Sequence, residues 1–298
     1  MKPLWFIATK EFSDRFRSGW VIACTAVWLG AIALTSLFGL AQIGRIGVQG
    51  YERTVVSLLN LVQYLVPLLA LLLGHDLIVS EREERTLAVI VAGGTGRARV
   101  LLGKFLGGVL TLAFPLTLGF AIAGTAIGLA AKDRAVGSFL TLALSGLMLG
   151  VVFLAIGLLI STCCRTRVQA LVLALLAWCA AVFVFDLVAL GVTVTTHSAQ
   201  AAQEIETATD NMHVNSAADL HKAFAGEAEP RPAHAELAQR SQTLASWLLI
   251  NPVDVFRAVN LPQPAAVAVP VPLAAVSVLL WLGLALGGGI WKLQRIDL

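Results

Sequence analysis

Two carboxylates stand within or beside long apolar stretches of the chain. Asp76 follows His75 near the end of the second stretch, and Asp186 lies toward the far end of the fifth. An ionisable side chain is costly among apolar residues, so it either forms structural hydrogen bonds or serves a conduction path or gate. The sequence leaves both interpretations open for Asp76 and for Asp186.

A dense group of charges follows Asp76. Residues Glu81–Arg85 read EREER, the apolar stretch Leu87–Val91 comes next, and three glycines within residues 93–96 end that stretch. Acidic residues in the first turn of a helix are favoured by the positive end of its dipole. The pattern predicts a short helix over residues 80–98, whose small amphipathic surface suits docking into a groove on another protein.

Gly103 and Lys104 supply the Gly-Lys pair of a phosphate-binding P-loop, but the rest of that motif is missing. Ala98 stands where the first glycine belongs, and Phe105 stands where the Mg²⁺-binding hydroxyl belongs. The motifs His-Glu-x-x-His, Gly-x-Ser-x-Gly and Cys-x-x-Cys are also absent. The sequence therefore predicts no catalytic residue and no cofactor bound by this chain.

The cysteines and histidines lack the spacing of metal ligands. Four histidines after the fifth apolar stretch are 16, 8 and 13 residues apart, which matches no standard motif. These residues are His197, His213, His221 and His234. We interpret the four cysteines of the chain as small apolar fillers. We expect no metal site, and the alternative, histidines that converge in space, stays open.

The composition of the chain is strongly apolar, and charged residues are scarce in it. Of the 298 residues, 58% are hydrophobic and only 13% are charged, whereas a soluble domain has about 25% charged residues. Six stretches have the roughly 20 apolar residues that a membrane-spanning helix needs, and none alternates with a period of two. They are Trp20–Leu40, Val55–Val79, Leu101–Ala131, Val136–Thr162, Val168–Thr195 and Val269–Trp291. The predicted fold class is an all-α integral membrane protein with six transmembrane helices.

Basic residues predict the orientation of these spans. The termini and the loops on their side hold thirteen Lys and Arg residues, whereas the short loops on the opposite side hold four. Because cytoplasmic loops carry the excess of Lys and Arg, both termini are predicted to be cytoplasmic.

The chain begins with a predicted amphipathic helix over residues 1–19. Apolar residues recur there every four positions, and charged residues fill the other faces. The recurring residues are Leu4, Ala8, Phe12, Phe16 and Trp20. We interpret this helix as lying among the lipids of the cytoplasmic interface, with an ordinary soluble helix as the alternative.

A polar segment separates the fifth span from the sixth. The spans and short loops occupy residues 20–194, residues 195–246 form a predicted extracytoplasmic insertion that faces a partner, and residues 247–298 hold the sixth span. Asn251 and Pro252 are a helix-start signal, and Asp254 and Arg257 follow on the same short helix. We predict that this outer helix is re-entrant before the sixth span.

Together these features resemble the type 2 exporter permeases of the ABC class, and most of all the permeases of transporters that mature nitrous oxide reductase. The likeness rests on Ile7–Trp20, Leu68–Lys104, Phe183–Leu187 and Leu248–Leu261. It implies a homodimer in the inner membrane of a bacterial cell, with two cytoplasmic ATPase subunits that bind ATP and Mg²⁺. It also implies a periplasmic protein docked on the 195–246 insertion.

The resemblance also implies which residues couple the permease to its ATPase. The coupling helix of the family maps onto Glu81, Glu83 and Thr86, and its basic end maps onto Arg97 and Lys104. This sequence departs from the family pattern at two places. Glu84 and Arg85 replace the usual glycines, and Gly93–Gly94 replaces an aromatic-proline pair.

The expected function is therefore a non-catalytic permease subunit that couples ATP hydrolysis to export or conformational work, for metalloenzyme maturation. A mechanical transmitter or assembly scaffold that remodels a periplasmic partner without moving a solute is the alternative. A membrane enzyme is a third interpretation, which the absence of catalytic motifs disfavours. Nothing in the sequence indicates a nucleic-acid partner.

Overall fold

The computed structural model describes residues 2–43, 49–86, 96–130, 136–184, 187, 251–260 and 271–295. Helices account for nearly all of these residues, and a π-helical segment, Ala180–Val184, continues one of them. In chain order the helices are α1 (Lys2–Phe16), α2 (Gly19–Ile43), α3 (Gln49–Gly74), α4 (Val79–Glu83), α5 (Arg97–Ala130), α6 (Val136–Cys163), α7 (Arg167–Cys179), α8 (Pro252–Asn260) and α9 (Val271–Gln294).

Six helical segments of the described chain are long and apolar enough to cross a membrane. They involve α2, α3, α5, α6, α7 with its π-helical continuation, and α9. The prediction of an all-α protein with six such helices is confirmed. The start of α7 follows a local signal, because the Thr166 side chain accepts a hydrogen bond from the Gln169 backbone N–H at 3.3 Å and so caps the helix.

The central helices of the bundle are α3, α5 and α6. In the membrane-length parts of these helices, 56%, 50% and 56% of the residues are buried, against 22%, 17% and 22% for the first, fifth and sixth segments. The helices α3 and α6 approach each other closely where Gly74 meets Gly157. A Cβ atom on Gly74 would lie 2.8 Å from the Leu154 carbonyl oxygen, so only glycine fits this contact.

The amino-terminal helix α1 packs against the first half of α5. Gly103 and Gly107 allow this approach, since a Cβ atom on Gly107 would lie 2.6 Å from the Cβ atom of Glu11. Ala8 is fully buried in the contact, whereas Trp5 and Phe6 are exposed. The predicted helix is present, and its placement among lipids stays a prediction.

Several predicted features lie outside the described residues. These are the insertion over residues 195–246, the carboxylate Asp186, and residues 87–95 of the predicted helix over 80–98. The described ends of that predicted helix belong to different elements. Glu81 and Glu83 lie on α4, whereas Arg97 is the first residue of the membrane-length helix α5.

Candidate functional site

Charged residues from four helices meet at the end of the bundle where α3 leads into α4. The first group surrounds Lys104, whose Nζ lies 2.8 Å from Glu11 Oε2 and 2.8 Å from Glu81 Oε1. Arg15 adds a second cation, because its Nε donates to Glu11 Oε1 at 2.5 Å. The Lys104 side chain is only 4% exposed. We call Lys104, Glu11, Glu81 and Arg15 the Lys104 cluster.

The Lys104 cluster also determines how Glu11 titrates. Burial raises the pKa of the Glu11 carboxyl, but the ammonium of Lys104 and the guanidinium of Arg15 lower that pKa by more. The net pKa is below the ordinary value for glutamate, so Glu11 is charged at neutral pH. A charged Glu11 holds α1 against α5, since Lys104 belongs to α5.

Hydrogen bonds from the end of α6 fix both ends of α4. The Ser161 hydroxyl oxygen accepts from the backbone N–H groups of Ile78 and Val79, both at 2.9 Å. Arg82 Nη1 donates to the Cys164 carbonyl oxygen at 3.0 Å. Free amides at a helix start and free carbonyls at a helix end need such partners when they are buried. The position of α4 is therefore set by α6.

A second cation, Arg167, lies at the start of α7 and faces three carboxylates. Its Nε lies 3.2 Å from Glu83 Oε2 and 3.5 Å from Asp76 Oδ1, and its Nη2 pairs with Glu84. The backbone N–H of Arg167 also donates to Glu83 Oε1 at 2.8 Å. We call Arg167, Asp76, Glu83 and Glu84 the Arg167 cluster. It differs from the Lys104 cluster in exposure, because 44% of the Arg167 side chain is exposed.

The structure distributes the five predicted coupling residues among four places. Glu81 and Lys104 contact each other, and Glu83 contacts the start of α7. Thr86 closes the turn after α4, since its backbone N–H donates to the Glu81 carbonyl oxygen at 2.9 Å. Arg97 lies apart from these residues. Its Nη1 donates to the carbonyl oxygens of Leu293 at 3.3 Å and Gln294 at 2.5 Å, which satisfies the last turn of α9.

Sequence reasoning missed Glu11, Ser161 and Arg167. Glu11 has a weak local signal, because it stands four residues before Arg15 on one helix face. Ser161 and Arg167 have none, since their partners in α4 are more than eighty residues away along the chain. Of the two carboxylates predicted for a path or gate, Asp76 joins the Arg167 cluster.

A third group of polar contacts lies at the short helix α8, and it shares no residue with the Lys104 and Arg167 clusters. Asn251 Nδ2 donates to the Ala181 carbonyl oxygen at 2.8 Å and to Asp254 Oδ2 at 3.0 Å. Arg257 Nη1 lies 3.2 Å from Asp254 Oδ1, and its Nε donates to Gln63 Oε1 at 2.6 Å. Asn251, Asp254 and Gln63 are buried. Buried polar groups need such partners, so these contacts fix α8 against α3 and the π-helical segment.

The helix start predicted at Asn251 and Pro252 is confirmed, since α8 begins at Pro252. Residues Pro252 to Phe256 are all buried, and α8 contacts α3, α6 and α9. Asn260 at its end donates to Ser145 Oγ of α6 at 2.8 Å. The re-entrant path of this helix stays a prediction.

These arrangements suit mechanical connection better than chemistry. Among the described residues, no group of three or more His, Cys, Asp or Glu side chains is placed so that it could hold a metal ion. Lys104 and Arg167 are each paired with carboxylates outside their own helices, which joins helices together. The contacts make the end of the bundle around α4 a junction between α1, α5, α6 and α7.

Comparison with known proteins covers nearly the whole chain. A family model described as ABC-2 family transporter protein matches residues 5–298. A probable ABC transporter permease protein NosY from Pseudomonas aeruginosa is 34% identical over 300 residues, which cover 97% of this chain and 94% of that protein. A protein of the same description from Stutzerimonas stutzeri is 31% identical over 304 residues, 96% of each chain. The chain is therefore a multi-pass membrane protein that belongs to the ABC-2 family of ABC transporter permeases.

Proposed function

We propose that this chain is the non-catalytic membrane subunit that converts ATP hydrolysis by a separate ATPase subunit into movement of its own helices. One observation carries the proposal. The short helix α4 is joined through Lys104 to both α1 and α5, and through Ser161 to α6. A force applied to α4 therefore reaches three other helices directly.

The buried position of Lys104 makes this connection stiff. Removing one partner of a buried ion pair costs about 3–5 kcal/mol, because an uncompensated charge stays in a poorly solvated place. An ATPase subunit that displaces α4 must then move α1 and α5 with it or break that pair. The turn after α4 supplies an exposed contact surface for such a subunit, formed by Glu84, Arg85 and Thr86.

The wider assembly follows from the family and from the resemblance of the sequence. We propose a homodimer with two ATPase subunits that bind ATP and Mg²⁺, and α1, α4 and both termini on the cytoplasmic side of a bacterial inner membrane. Lipids cover the apolar helix faces, and a periplasmic protein docks on residues 195–246. The work done is export or remodelling of that partner, in the maturation of a metalloenzyme.

Purification in mild detergent followed by mass spectrometry tests the proposal. We expect an ATP-hydrolysing subunit to remain bound to the wild-type chain. An Arg85→Glu variant should retain much less of it, since Arg85 is exposed in the turn after α4. Lys10→Glu is the matched control, because Lys10 is exposed on α1 and the same charge change there leaves the turn intact.

Two outcomes contradict the proposal. One is a wild-type chain that retains no ATP-hydrolysing subunit under any mild-detergent condition in which it stays folded. The other is an Arg85→Glu variant and a Lys10→Glu variant that lose the subunit to the same extent. The second outcome would place the contact elsewhere than on the turn after α4.

A further inference from the structure

The two short helices α4 and α8 are attached to the same central helix, α6. The start of α4 is hydrogen-bonded to Ser161 near the end of α6, and Asn260 at the end of α8 donates to Ser145 of α6 at 2.8 Å. Ser145 and Ser161 are sixteen residues apart, which is about 24 Å along an α-helix. No proline interrupts α6 between the two contacts. A displacement of α4 that moves α6 is therefore carried to α8.

The helix α3 offers a less direct connection, because Pro67 lies inside it. Proline has no backbone N–H, so the carbonyl oxygen of Gln63 lacks the helical hydrogen bond that residue 67 would otherwise give it. Helices bend most readily at such positions. We call residues 49–66, which precede this proline, the far half of α3.

The helix α8 is bound to the far half of α3 and to a second irregular helix. Arg257 Nε donates to Gln63 Oε1 at 2.6 Å, one turn before Pro67. Asn251 Nδ2 donates at 2.8 Å to the carbonyl oxygen of Ala181, which lies in the π-helical segment Ala180–Val184. Gln63 and Asn251 are buried within the single chain, so neither the membrane nor a second copy alters the surroundings of these contacts.

Other residues of α8 hold the Arg257 guanidinium in the orientation that reaches Gln63. Asp254 Oδ1 lies 3.2 Å from Arg257 Nη1, and Asp254 Oδ2 accepts from Asn251 at 3.0 Å. The Asp254 side chain is only 7% exposed, and a buried carboxylate needs such partners. Val253 and Phe256 of the same helix pack into the main apolar core. These contacts make α8 a firm support for Arg257.

We propose that Arg257 is a positioning residue that holds the far half of α3 to α8, and through α8 to α6. This role rests on the proposed function, because it requires an ATPase subunit that displaces α4. The far half of α3 then follows α6 as one unit with α8, although Pro67 would otherwise let it bend away. The contact between Arg257 and Gln63 thus carries movement to the part of the bundle that lies farthest from α4.

Distances between two spin labels test this role by electron paramagnetic resonance. The labels are placed at Ser57→Cys and Thr141→Cys, since Ser57 is exposed on the far half of α3 and Thr141 is exposed on the first part of α6. The four native cysteines are replaced by Ala. Labelled chains are diluted with unlabelled ones, so that a complex holds one labelled copy. The complex with its ATPase subunit is studied in lipid discs, without nucleotide and with ATP plus vanadate.

A second sample, labelled at Thr141→Cys alone and left undiluted, reports the distance between the α6 helices of two copies. We expect that distance to differ between the two nucleotide states, because the proposed function requires the helices to move. In the otherwise wild-type chain the distance between Ser57 and Thr141 should stay the same in both states, since Arg257 joins the helices that carry these labels.

Two variants remove the contact in different ways. Gln63→Leu removes the acceptor and leaves Arg257 paired with Asp254, whereas Arg257→Met removes the guanidinium. In both variants the distance between Ser57 and Thr141 should differ between the nucleotide states. Gln63→Glu should keep this distance constant, because a carboxylate also accepts from a guanidinium. Asn60→Leu is the matched control, since Asn60 accepts from Gln63 Nε2 at 3.1 Å and its loss leaves the Arg257 contact in place.

Each result bears on one of the two proposals. A distance between Ser57 and Thr141 that stays constant in Gln63→Leu and in Arg257→Met overturns the role of Arg257, and so does one that changes with nucleotide in the otherwise wild-type chain. In both cases a changing Thr141 distance between copies leaves the proposed function standing. A complex that hydrolyses ATP with no change in that distance contradicts the helix movement of the proposed function, and the role of Arg257 is lost with it.

Discussion

Lys104 and Arg167 perform similar electrostatic tasks in different surroundings. Each is a cation that contacts more than one carboxylate outside its own helix, and each attaches α4 to a membrane-length helix. They differ in exposure, because the Lys104 side chain is 4% exposed and the Arg167 side chain is 44% exposed. The first attachment reaches the central helix α5 and the second reaches α7 at the outside of the bundle within one chain.

This difference in exposure sets how each attachment responds to force. Little water can replace the ammonium of Lys104 at Glu11 and Glu81, whose side chains are only 13% and 20% exposed, so separating these groups is costly. Water and ions readily replace the guanidinium of Arg167 at Glu84, which is itself 60% exposed. We infer that the Lys104 cluster is a fixed joint and that the Arg167 cluster is one that can open and close.

The largest effect should come from Lys104→Met, which removes the cation of the fixed joint. Glu11 and Glu81, which are 13% and 20% exposed, would then lie close together without the Lys104 ammonium, and loss of one partner of a buried ion pair costs about 3–5 kcal/mol. The measurement is the thermal unfolding midpoint in detergent, followed by the intrinsic fluorescence of the seven tryptophans. Arg99→Met is the matched control, since Arg99 is exposed on the first turns of the same helix. Equal midpoints for the two variants would show that the Lys104 cluster adds no stability.

A smaller effect is expected at the glycine contact that precedes α4. In Gly74→Ala the new methyl group meets backbone atoms, namely the Leu154 carbonyl oxygen at 2.8 Å and the Gly157 Cα at 2.9 Å. Overpacking of this kind costs about 1–3 kcal/mol, more than the roughly 0.5–1 kcal/mol that alanine gains over glycine in a helix. The same unfolding measurement applies, and both clusters should be disturbed together because α4 follows Gly74.

Gly287→Ala is the control for the glycine contact. A Cβ atom on Gly287 meets nothing within 4 Å, so this variant should be as stable as the wild type or slightly more stable. If Gly74→Ala unfolds at the same temperature as Gly287→Ala, the close approach of α3 and α6 does not constrain α4.

Arg167→Gln should have little effect on stability, in contrast to Lys104→Met. Exposed ion pairs contribute about 0.2–1 kcal/mol each at most, so the unfolding midpoint should shift only slightly. The contrast between the two variants is the direct test of a fixed joint against one that opens. A loss of stability in Arg167→Gln as large as that in Lys104→Met would remove the distinction.

The smallest expected effect is the contribution of Glu11 to the pH dependence of stability. Its pKa is lower in the folded chain than in the unfolded chain, so its contribution is present above the unfolded pKa. That contribution is lost as the pH falls through the folded pKa. The difference in unfolding midpoint between the wild type and Glu11→Gln should therefore be greatest near neutral pH and should shrink on acidification. A difference that stays constant with pH would argue against the ion pair with Lys104.

Local patterns in the sequence predicted the elements of this fold but only part of the site. The bounds of α6 match the predicted span to one residue, and α8 begins at the predicted Pro252. Both follow from information carried by neighbouring residues, namely apolar length and a helix-start signal. The predicted coupling residues included Lys104, whose role in coupling to the ATPase stays a prediction, but they did not include Glu11 of α1, which Lys104 contacts in the structure.

The sequence by itself determined that this chain is a helical membrane protein with six apolar spans, because the length of an apolar stretch and the absence of charge within it are local properties. Only the tertiary structure decided which charges meet. Lys104 and Glu11 are 93 residues apart, and Arg167 and Glu83 are 84 residues apart. Such pairs depend on how α1 and α7 pack against the ends of other helices, and no local spacing encodes that packing. Burial then decided which of the two cations is fixed, because solvation of a charge depends on everything packed around it.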